Sequence, residues 1–540
     1  MRNTLLFALF LKACISFSQP AIEWQRCFGG SDLDGAFSID KTNDGGFIVA
    51  GEALSSNGDV SGHHGSSDAW VVKLGILGNI EWQRCYGSSS DDVAFSVKQT
   101  EDGGYVLAGE AGANDGDVSG GHNNVGQYFN DAWILKLDGS GNVQWQRCLG
   151  GTKDDRAYEV IETSDGGYIM VGQTTSLDGD VIGFHGQAQS ESRDIWVVKL
   201  DSTGNLLWQR CLGGTDTDFG TAVVESQEGG YLVSGYTRSI DGDVVGNHSD
   251  WSDGWIVKLD ISGNVQWQKC LGGSGKEGIN SIQQTSDGGY ISAGYTGGSF
   301  DGDVSGWHYD ESGEGLYDDA WIVKLDMNGG IQWQNCLGGI MQESANSIRQ
   351  TDDGGFAIAG YTNSMDGAWS YENGTGLFAS VNSDCWIVKL AADGDFEWQK
   401  NFGGSSTSVY YIPTDQAWAL QQTPDGGFIV AGMTASNDGD VSGNHGLLDI
   451  WVVKLSDASF VSNADANSIW IYPNPANDYV VIHANEYLRD SHFVISDIMG
   501  NEVLSGQFSS NSITLSLQGL AAGIYTLTAG NRFVTRIVKE

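Results

Sequence analysis

Proline is almost missing: 5 residues in a chain of 540 that carries 78 glycines. That balance excludes a proline-rich extended chain and points to many tight turns between short strands. Basic side chains are scarce as well, 27 Lys and Arg against 69 Asp and Glu, for a formal charge of -42. Such a field repels nucleic acid and anionic lipid, and it favours cations and a solvated surface. No later stretch is long and apolar enough to span a bilayer, so no transmembrane segment is expected. A P-loop, a nucleophile elbow, an HExxH pair and a paired CxxC are all missing, and no catalytic residue is assigned. What is present, 40% apolar and 11% aromatic residues, is ample for a buried core.

The first residues read as a signal peptide, 1–18. Arg2 supplies the positive end, Leu5 to Phe10 the apolar core, and Ser16-Phe17-Ser18 a small-x-small cleavage signal. Lys12 interrupts the apolar run and stands where a lipidation signal for Cys14 would need a small or apolar residue.

Self-comparison reveals a sevenfold repeat. Trp-Gln recurs at Trp24, Trp82, Trp145, Trp208, Trp267, Trp333 and Trp398. An acidic-Gly-Gly turn starts at Asp44, Asp102, Asp165, Glu228, Asp287, Asp353 and Asp425. A third landmark, Asp-x-Trp-[VI]-x-Lys-Leu, centres on Trp70, Trp133, Trp196, Trp255, Trp321, Trp386 and Trp451. Each unit parses into four strands, here Ala157–Thr163, Tyr168–Thr174, Ile195–Leu200 and Leu206–Leu212, joined by Gly-containing turns and one long polar loop. The second and third strands are almost continuously apolar, as strands covered on both faces must be.

The ends decide between an open solenoid and a ring. The chain after cleavage begins with a lone fourth strand, Ile22–Phe28, and the last unit stops after its third strand at Leu455. This predicts an all-β, seven-bladed β-propeller over residues 19–455, closed by the N-terminal strand, a pairing that removes two exposed edges. The motifs DAWVVKL, GNIEW and CLGGTKDDRAYEV resemble the bacterial β-propeller repeats of the DAFVAKLD…GN…W…LGG…D…A type across residues 22–455. That resemblance implies the fold and leaves the activity unassigned.

In such blades the acidic-Gly-Gly and Gly-Asn turns share one uniform face. The long loops and blade connections share the other, and they vary at 121–130, 186–193, 309–317, 367–383 and 403–416. Variable loops on a uniform scaffold are where binding is expected. The aromatic candidates there are Trp307, Tyr309, Tyr317, Trp369, Tyr371, Tyr410 and Tyr411, either stacking on a glycan or protein ligand or packing their own loops.

Within those loops Asp-Gly-Asp-Val-x-Gly-x-His recurs, with its second Asp at Asp59, Asp117, Asp180, Asp243, Asp303 and Asp440. Carboxylates spaced by glycine admit calcium, and the His beside them is a reasonable ligand for a transition metal. They equally stabilise turns, and a feature repeated in six units is expected to serve the fold. The aspartate before each third-strand Trp is expected to accept hydrogen bonds from a loop. Six cysteines occupy one repeat position (Cys27, Cys85, Cys148, Cys211, Cys270 and Cys336), too far apart for disulfides and suited to small buried fillers.

A polar linker, 456–467, separates the repeats from residues 468–540, which read as a small C-terminal β-sandwich. IYPNPANDYVVI, DIMGNEV and LAAGIY follow in order, with Tyr472, Pro473, Asn474, Pro475, Gly500, Gly523 and Tyr525 as the motif residues. Together they resemble the type A C-terminal sorting domain of the type IX secretion system (Por secretion system). The resemblance implies passage through the periplasm, recognition by the type IX secretion machinery, and a secreted or outer-surface destination. Three functional readings stay open: a binding or adhesion protein, a secreted hydrolase or lyase acting on the variable face, and a passive structural surface component.

Overall fold

A computed structural model of the chain describes residues 19–122, 129–186, 192–308, 317–364, 383–405, 415–457, 470–472, 479–483, 492–497, 501–508, 512–529 and 533–539. It divides into two compact units, one spanning Gln19–Ala458 and one containing Ser459–Glu540. Among the described residues every regular element is a strand, and no helix is long and apolar enough to cross a membrane.

The first unit is a β-propeller of four-stranded antiparallel sheets in up-and-down order. Its first sheet runs Asp34–Lys41, Phe47–Ala53, Asp68–Leu74 and Ile80–Tyr86; its third runs Asp155–Glu162, Tyr168–Thr174, Asp194–Leu200 and Leu206–Leu212. The final sheet takes Asp415–Gln422, Phe428–Thr434 and Asp449–Leu455 from the end of the unit and Ile22–Phe28 from its beginning. Gln25 pairs with Val453 and Phe28 with Ile450 in that antiparallel ladder. The inner strands begin two residues earlier than the apolar pattern implies, because Asp155 pairs with Thr174 at the start of its ladder. Each inner strand also carries a bulge that the pattern does not reveal: Ala157 pairs with Gly172 and Glu159 with Val171, leaving Tyr158 without a ladder partner.

The repeat landmarks have separate mechanical roles. Every third-strand Trp is fully buried, and its indole N–H donates to the Gln of a Trp-Gln pair, as in Trp196 to Gln209 at 2.7 Å and Trp451 to Gln25 at 2.8 Å. The outer Trp packs on the next sheet, Trp145 against Tyr168 at 5.4 Å and Trp24 against Phe47 at 6.3 Å. The Lys of the third strand is buried to its tip and meets the acidic-Gly-Gly turn, Lys199 Nζ to Asp165 at 2.9 Å. Two glycines are required there. Gly166 has φ 77°, and a side chain on Gly167 would collide with the Leu200 carbonyl. The repeated cysteines sit beside the Trp-Gln pairs as free thiols, five of the six buried, and burial pushes Cys27 up to about 12.

In the second unit, Trp470–Tyr472, Tyr479–His483 and Ser512–Ser516 form one sheet. Glu502–Gln507, His492–Ser496, Gly523–Ala529 and Phe533–Lys539 form the other. Val480 and Ile482 of the first share a core with Phe493, Ile495, Tyr525, Leu527 and Ile537 of the second, the arrangement of a small sandwich.

Candidate functional site

The Asp-Gly-Asp-Val-x-Gly-x-His loops are built as rim staples. The second Asp anchors the connection into its own sheet: Asp117 N donates to Gly87 O at 2.8 Å, and Asp180 N to Gly150 O at 2.8 Å. The first Asp caps that connection, with Thr152 N donating to Asp178 at 2.8 Å and, at the one unit carrying asparagine, Ser31 N to Asn57 at 2.9 Å. The His then joins neighbours. His185 Nδ1 lies 2.6 Å from Asp194 of its own sheet, and Nε2 lies 3.8 Å from Asp243 of the next. His445 spans Asp449 at 2.6 Å and Asp59 at 4.0 Å, linking the last sheet to the first. Val60, Val118, Val181, Val244, Val304 and Val441 bury the loop against the core. Among the described residues no group of three or more His, Cys, Asp or Glu side chains is arranged to hold a metal ion.

Beneath the rim lies a belt of buried acids opening the inner strands: Asp34, Asp92, Asp155, Asp218, Glu277, Glu343 and Asp415. Asp155 is typical, accepting from Gly151 N at 2.8 Å, Thr174 Oγ1 at 2.5 Å and Ser176 Oγ at 2.7 Å. None of these partners is a cation, so burial pushes Asp92, Asp155 and Asp218 up to about 6. Burial likewise raises Asp131, Asp253, Asp319 and Asp449 of the third strands, and Oδ1 of each is buried without a hydrogen bond.

This belt sets a pH dependence. A carboxyl raised on folding contributes stability that is complete below its unfolded value and lost as pH rises through the folded one. The turn aspartates Asp44, Asp102, Asp165 and Asp287 act in the opposite sense. Burial opposes their ionisation, but hydroxyl, backbone and lysine partners hold them at about 2, so their contribution is lost as pH falls through that region. Melting temperature is therefore expected to rise as pH is lowered from 8 to about 5 and to fall below about 3.5. Circular-dichroism melts across that range check it; a maximum at pH 7.5 or above would contradict the assignment.

Of the loop aromatics, Tyr309, Trp369, Tyr371, Tyr410 and Tyr411 lie outside the described residues. Trp307 is buried, 6% exposed, with its ring 4.7 Å from Phe300 and its N–H donating to the Tyr317 carbonyl at 3.1 Å. It packs its own loop. Tyr317 is exposed.

Some strand positions also differ from sheet to sheet, and they lie inside. The inner strands of successive sheets lie side by side, and that of the last sheet lies beside that of the first. Their unpaired bulge residues are Phe37, Phe95, Tyr158, Thr221, Asn280, Asn346 and Trp418, all half-buried. One arc is aromatic: Trp418, Phe37, Phe95, Tyr158 and Phe219 follow one another with ring centroids 5.7, 5.6, 5.0 and 4.7 Å apart. The other arc is polar. Thr221 Oγ1 donates to Ile279 O at 2.7 Å, Asn280 to Ala345 O at 3.0 Å, and Asn346 to Ala417 O at 2.9 Å.

Toward the loop face a second unequal set, the sixth residues of the second strands, comprises Glu52, Glu110, Gln173, Tyr236, Tyr295, Tyr361 and Met433. Glu110 is paired with Arg156 Nε of the next sheet at 2.7 Å, and that guanidinium also hydrogen-bonds Tyr158. Glu52 faces Glu110, Asp91 and Asp34; burial and those charges push it up to about 7. Sequence reasoning placed binding in the loops and missed this set. The available signal was a strand position whose identity changed from repeat to repeat while its neighbours stayed constant.

In the second unit, Tyr525 is buried with its hydroxyl donating to Ala521 O at 2.8 Å, Gly523 opens a strand and Tyr472 closes one. Pro473, Asn474, Pro475 and Gly500 lie outside the described residues. Residues 470–539 match the family described as the secretion system C-terminal sorting domain. The tail is a secretion sorting domain. It assigns the chain to the type IX secretion system and to export, either to the cell surface or beyond it.

Regulatory protein FlaEY of Caulobacter vibrioides is 27% identical over 219 residues, a stretch that is 37% of this chain and 22% of that protein. The chain thus spans under a quarter of the length of that curated relative. Among solved structures, the Pan2 WD40 domain of Neurospora crassa is similar at TM-score 0.41 and 10% identity, over 78% of this chain and 88% of that one. PorZ of Porphyromonas gingivalis, described as a surface component of the type-IX secretion system, is similar at TM-score 0.38 and 11% identity. That match covers 95% of this chain and 60% of that one.

Proposed function

We propose that the exported chain is a binding protein of the cell surface or secreted space, and that its ligand enters at the loop-face mouth of the inner-strand belt. In this reading residues 1–18 are the signal peptide, 19–455 form a seven-bladed propeller closed by Ile22–Phe28, 456–467 are the linker and 468–540 the sorting tail. The observation that carries it is the inequality of the belt. A passive structural repeat has no use for an aromatic arc facing an amide arc when every supporting position is held nearly constant. Aromatic faces beside neutral hydrogen-bonding groups are the chemistry of glycan and protein surfaces.

The test is a screen of the exported full-length chain against arrayed glycans and peptides. The expected result is a ligand whose affinity falls about tenfold or more when Phe37 and Trp418 are both replaced by leucine. A ligand indifferent to those changes places binding elsewhere. A second reading, a hydrolase or lyase, draws on one observation: a carboxyl raised to about 7, Glu52, beside a carboxylate paired with Arg156. Turnover of a screened ligand, lost in Glu52→Gln, distinguishes it from simple binding.

A further inference from the structure

The loops after the second strands do not present the same surface to water. In the Asp-Gly-Asp-Val-x-Gly-x-His pattern the x position is Ser61, Ser119, Ser305 and Ser442, but Ile182 and Val245 in the third and fourth sheets. Each of those serines takes a hydrogen bond on its hydroxyl from the Gln of a Trp-Gln pair. Gln209 and Gln268 reach only backbone there, Ile182 O at 2.9 Å and Val245 O at 2.8 Å. The position before the first Asp shows the same exchange. Asn114 and Asn437 close their loops by accepting from Gly121 N at 3.3 Å and Gly443 N at 3.2 Å. The third, fourth and fifth sheets carry Leu177, Ile240 and Phe300 instead.

These replacements gain no burial. Ile182, Ile240 and Val245 are 70% or more exposed, and Leu177 and Phe300 are exposed as well. Trp251 of the fourth sheet's loop is 61% exposed on a braced turn. Its backbone N–H donates to Ser249 Oγ at 3.0 Å, and that hydroxyl donates to Gly275 O at 3.4 Å. The three loops are neighbours along one rim: His185 ties the third to Asp243 of the fourth at 3.8 Å, and Ser249 ties the fourth to Gly275 at the entry of the fifth sheet. Single exposed apolar side chains are ordinary. A row of them on adjoining loops, displacing polar residues that sister loops use, marks a contact surface.

Charge selects the partner. Asp178, Asp241 and Asp301 each follow one of the apolar residues, Asp250 precedes Trp251, and all four are exposed. Residues 176–186, 238–252 and 299–308 contain one Lys or Arg, Arg238. A second copy would set these acids against one another, and a chain of charge -42 opposes that as it opposes anionic lipid. A segment with an apolar face edged by cations complements both the exposed hydrocarbon and the carboxylates.

We propose that this rim docks a protein segment whose apolar face is flanked by Lys and Arg. The surface uses no residue of the inner belt, so its test is separate from that of the ligand reading above.

The test is fluorescence anisotropy of labelled peptides titrated with the full exported chain. The probes are an amphipathic leucine–lysine peptide, a serine–lysine peptide of equal charge and a leucine–glutamate peptide of equal apolar face. The expected result is that the leucine–lysine peptide binds at least about tenfold more tightly than the other two. The variant Leu177→Asn/Ile182→Ser/Ile240→Asn/Val245→Ser carries the residue types of the sister loops at unchanged charge. It should lose that advantage while melting no lower than the parent. Trp251→Ser alone should weaken binding by about threefold or more, which keeps the test decisive if the fourfold variant fails to fold. Undiminished binding by these variants, or no preference for leucine–lysine over serine–lysine, reduces the attraction to net charge and overturns the docking surface. Equal or tighter binding of the leucine–glutamate peptide overturns the basic partner. Self-association of the parent in sedimentation, abolished in the fourfold variant, makes a second copy the occupant and overturns the proposal as well.

Discussion

A chain that starts at Gly29, lacking the strand Ile22–Phe28, is expected to lose the cooperative melting transition of the whole propeller unit. The deleted strand supplies the last ladder of the final sheet, Gln25 with Val453 and Phe28 with Ile450. Its removal leaves the buried Trp451 N–H without Gln25, at a cost of about 1–3 kcal/mol for an orphaned donor. It also strips Phe28, 5% exposed, from the cluster holding Trp70, Ile450 and Val452, and burial of such a side chain is worth about 1.5–3 kcal/mol. Trp24 leaves Phe47 uncovered, and a third strand buried throughout becomes a free edge. These losses approach the roughly 5–15 kcal/mol that separates a typical domain from its unfolded state. A peptide of residues 19–30, added in trans, should restore the transition in a concentration-dependent way. Retention of the native transition by the truncated chain would show that the propeller unit does not depend on this pairing.

Replacing Trp196 by alanine is expected to cost about 3–5 kcal/mol, the largest effect of any single repeat residue. The side chain is 0% exposed and packs in one cluster with Met170, Val198 and Leu200 of its sheet and Val106 and Ile134 of the sheet before. Its loss opens a cavity across an inter-sheet boundary and orphans the Gln209 acceptor. Trp196→Phe keeps much of the volume and should lose less, about 1–3 kcal/mol, mainly from the unmade hydrogen bond and the remaining gap. Urea midpoints with an unchanged slope would measure the difference. Equal costs for the two replacements would mean that packing around the indole contributes little.

Most of the fold was legible because the repeats state it seven times. Trp-Gln, acidic-Gly-Gly and Asp-x-Trp each mark a strand or turn, and the surplus strand at one end answers the missing one at the other. The partners of those landmarks were not legible. Lys199 meets Asp165 across 34 positions, and His185 reaches Asp243 on a different sheet, so spacing along the chain does not disclose either contact. The rim aspartates were readable as turn-formers first and as calcium ligands second, because Asp-Gly-Asp is common to capped turns and to metal loops. Their backbone partners, Gly150 O accepting from Asp180 N and Thr152 N donating to Asp178, were not readable from spacing.

The candidate site was the least legible part. Attention to loops is sound where loops differ and strands do not, but here bulges turn a strand position toward the shared axis. A bulge moves one residue out of the period-two alternation that strand reading relies on. Tyr158 and Asn280 therefore looked like ordinary variations within a strand. Glu52 was overlooked for a different reason: it pairs regularly with Gly35 near the end of its strand, in a segment read as scaffold.

The central claim is a division of labour, in which positions alike in every sheet hold the fold and unequal positions of the inner belt bind the ligand. Its most direct test is the affinity of the screened ligand for Phe37→Leu/Trp418→Leu, measured beside the melting temperature of the same variant. The account predicts an affinity lower by about tenfold or more, with melting within about 5 °C of the parent chain. Unchanged affinity, or a loss that occurs only where the variant is already unfolding, would contradict it.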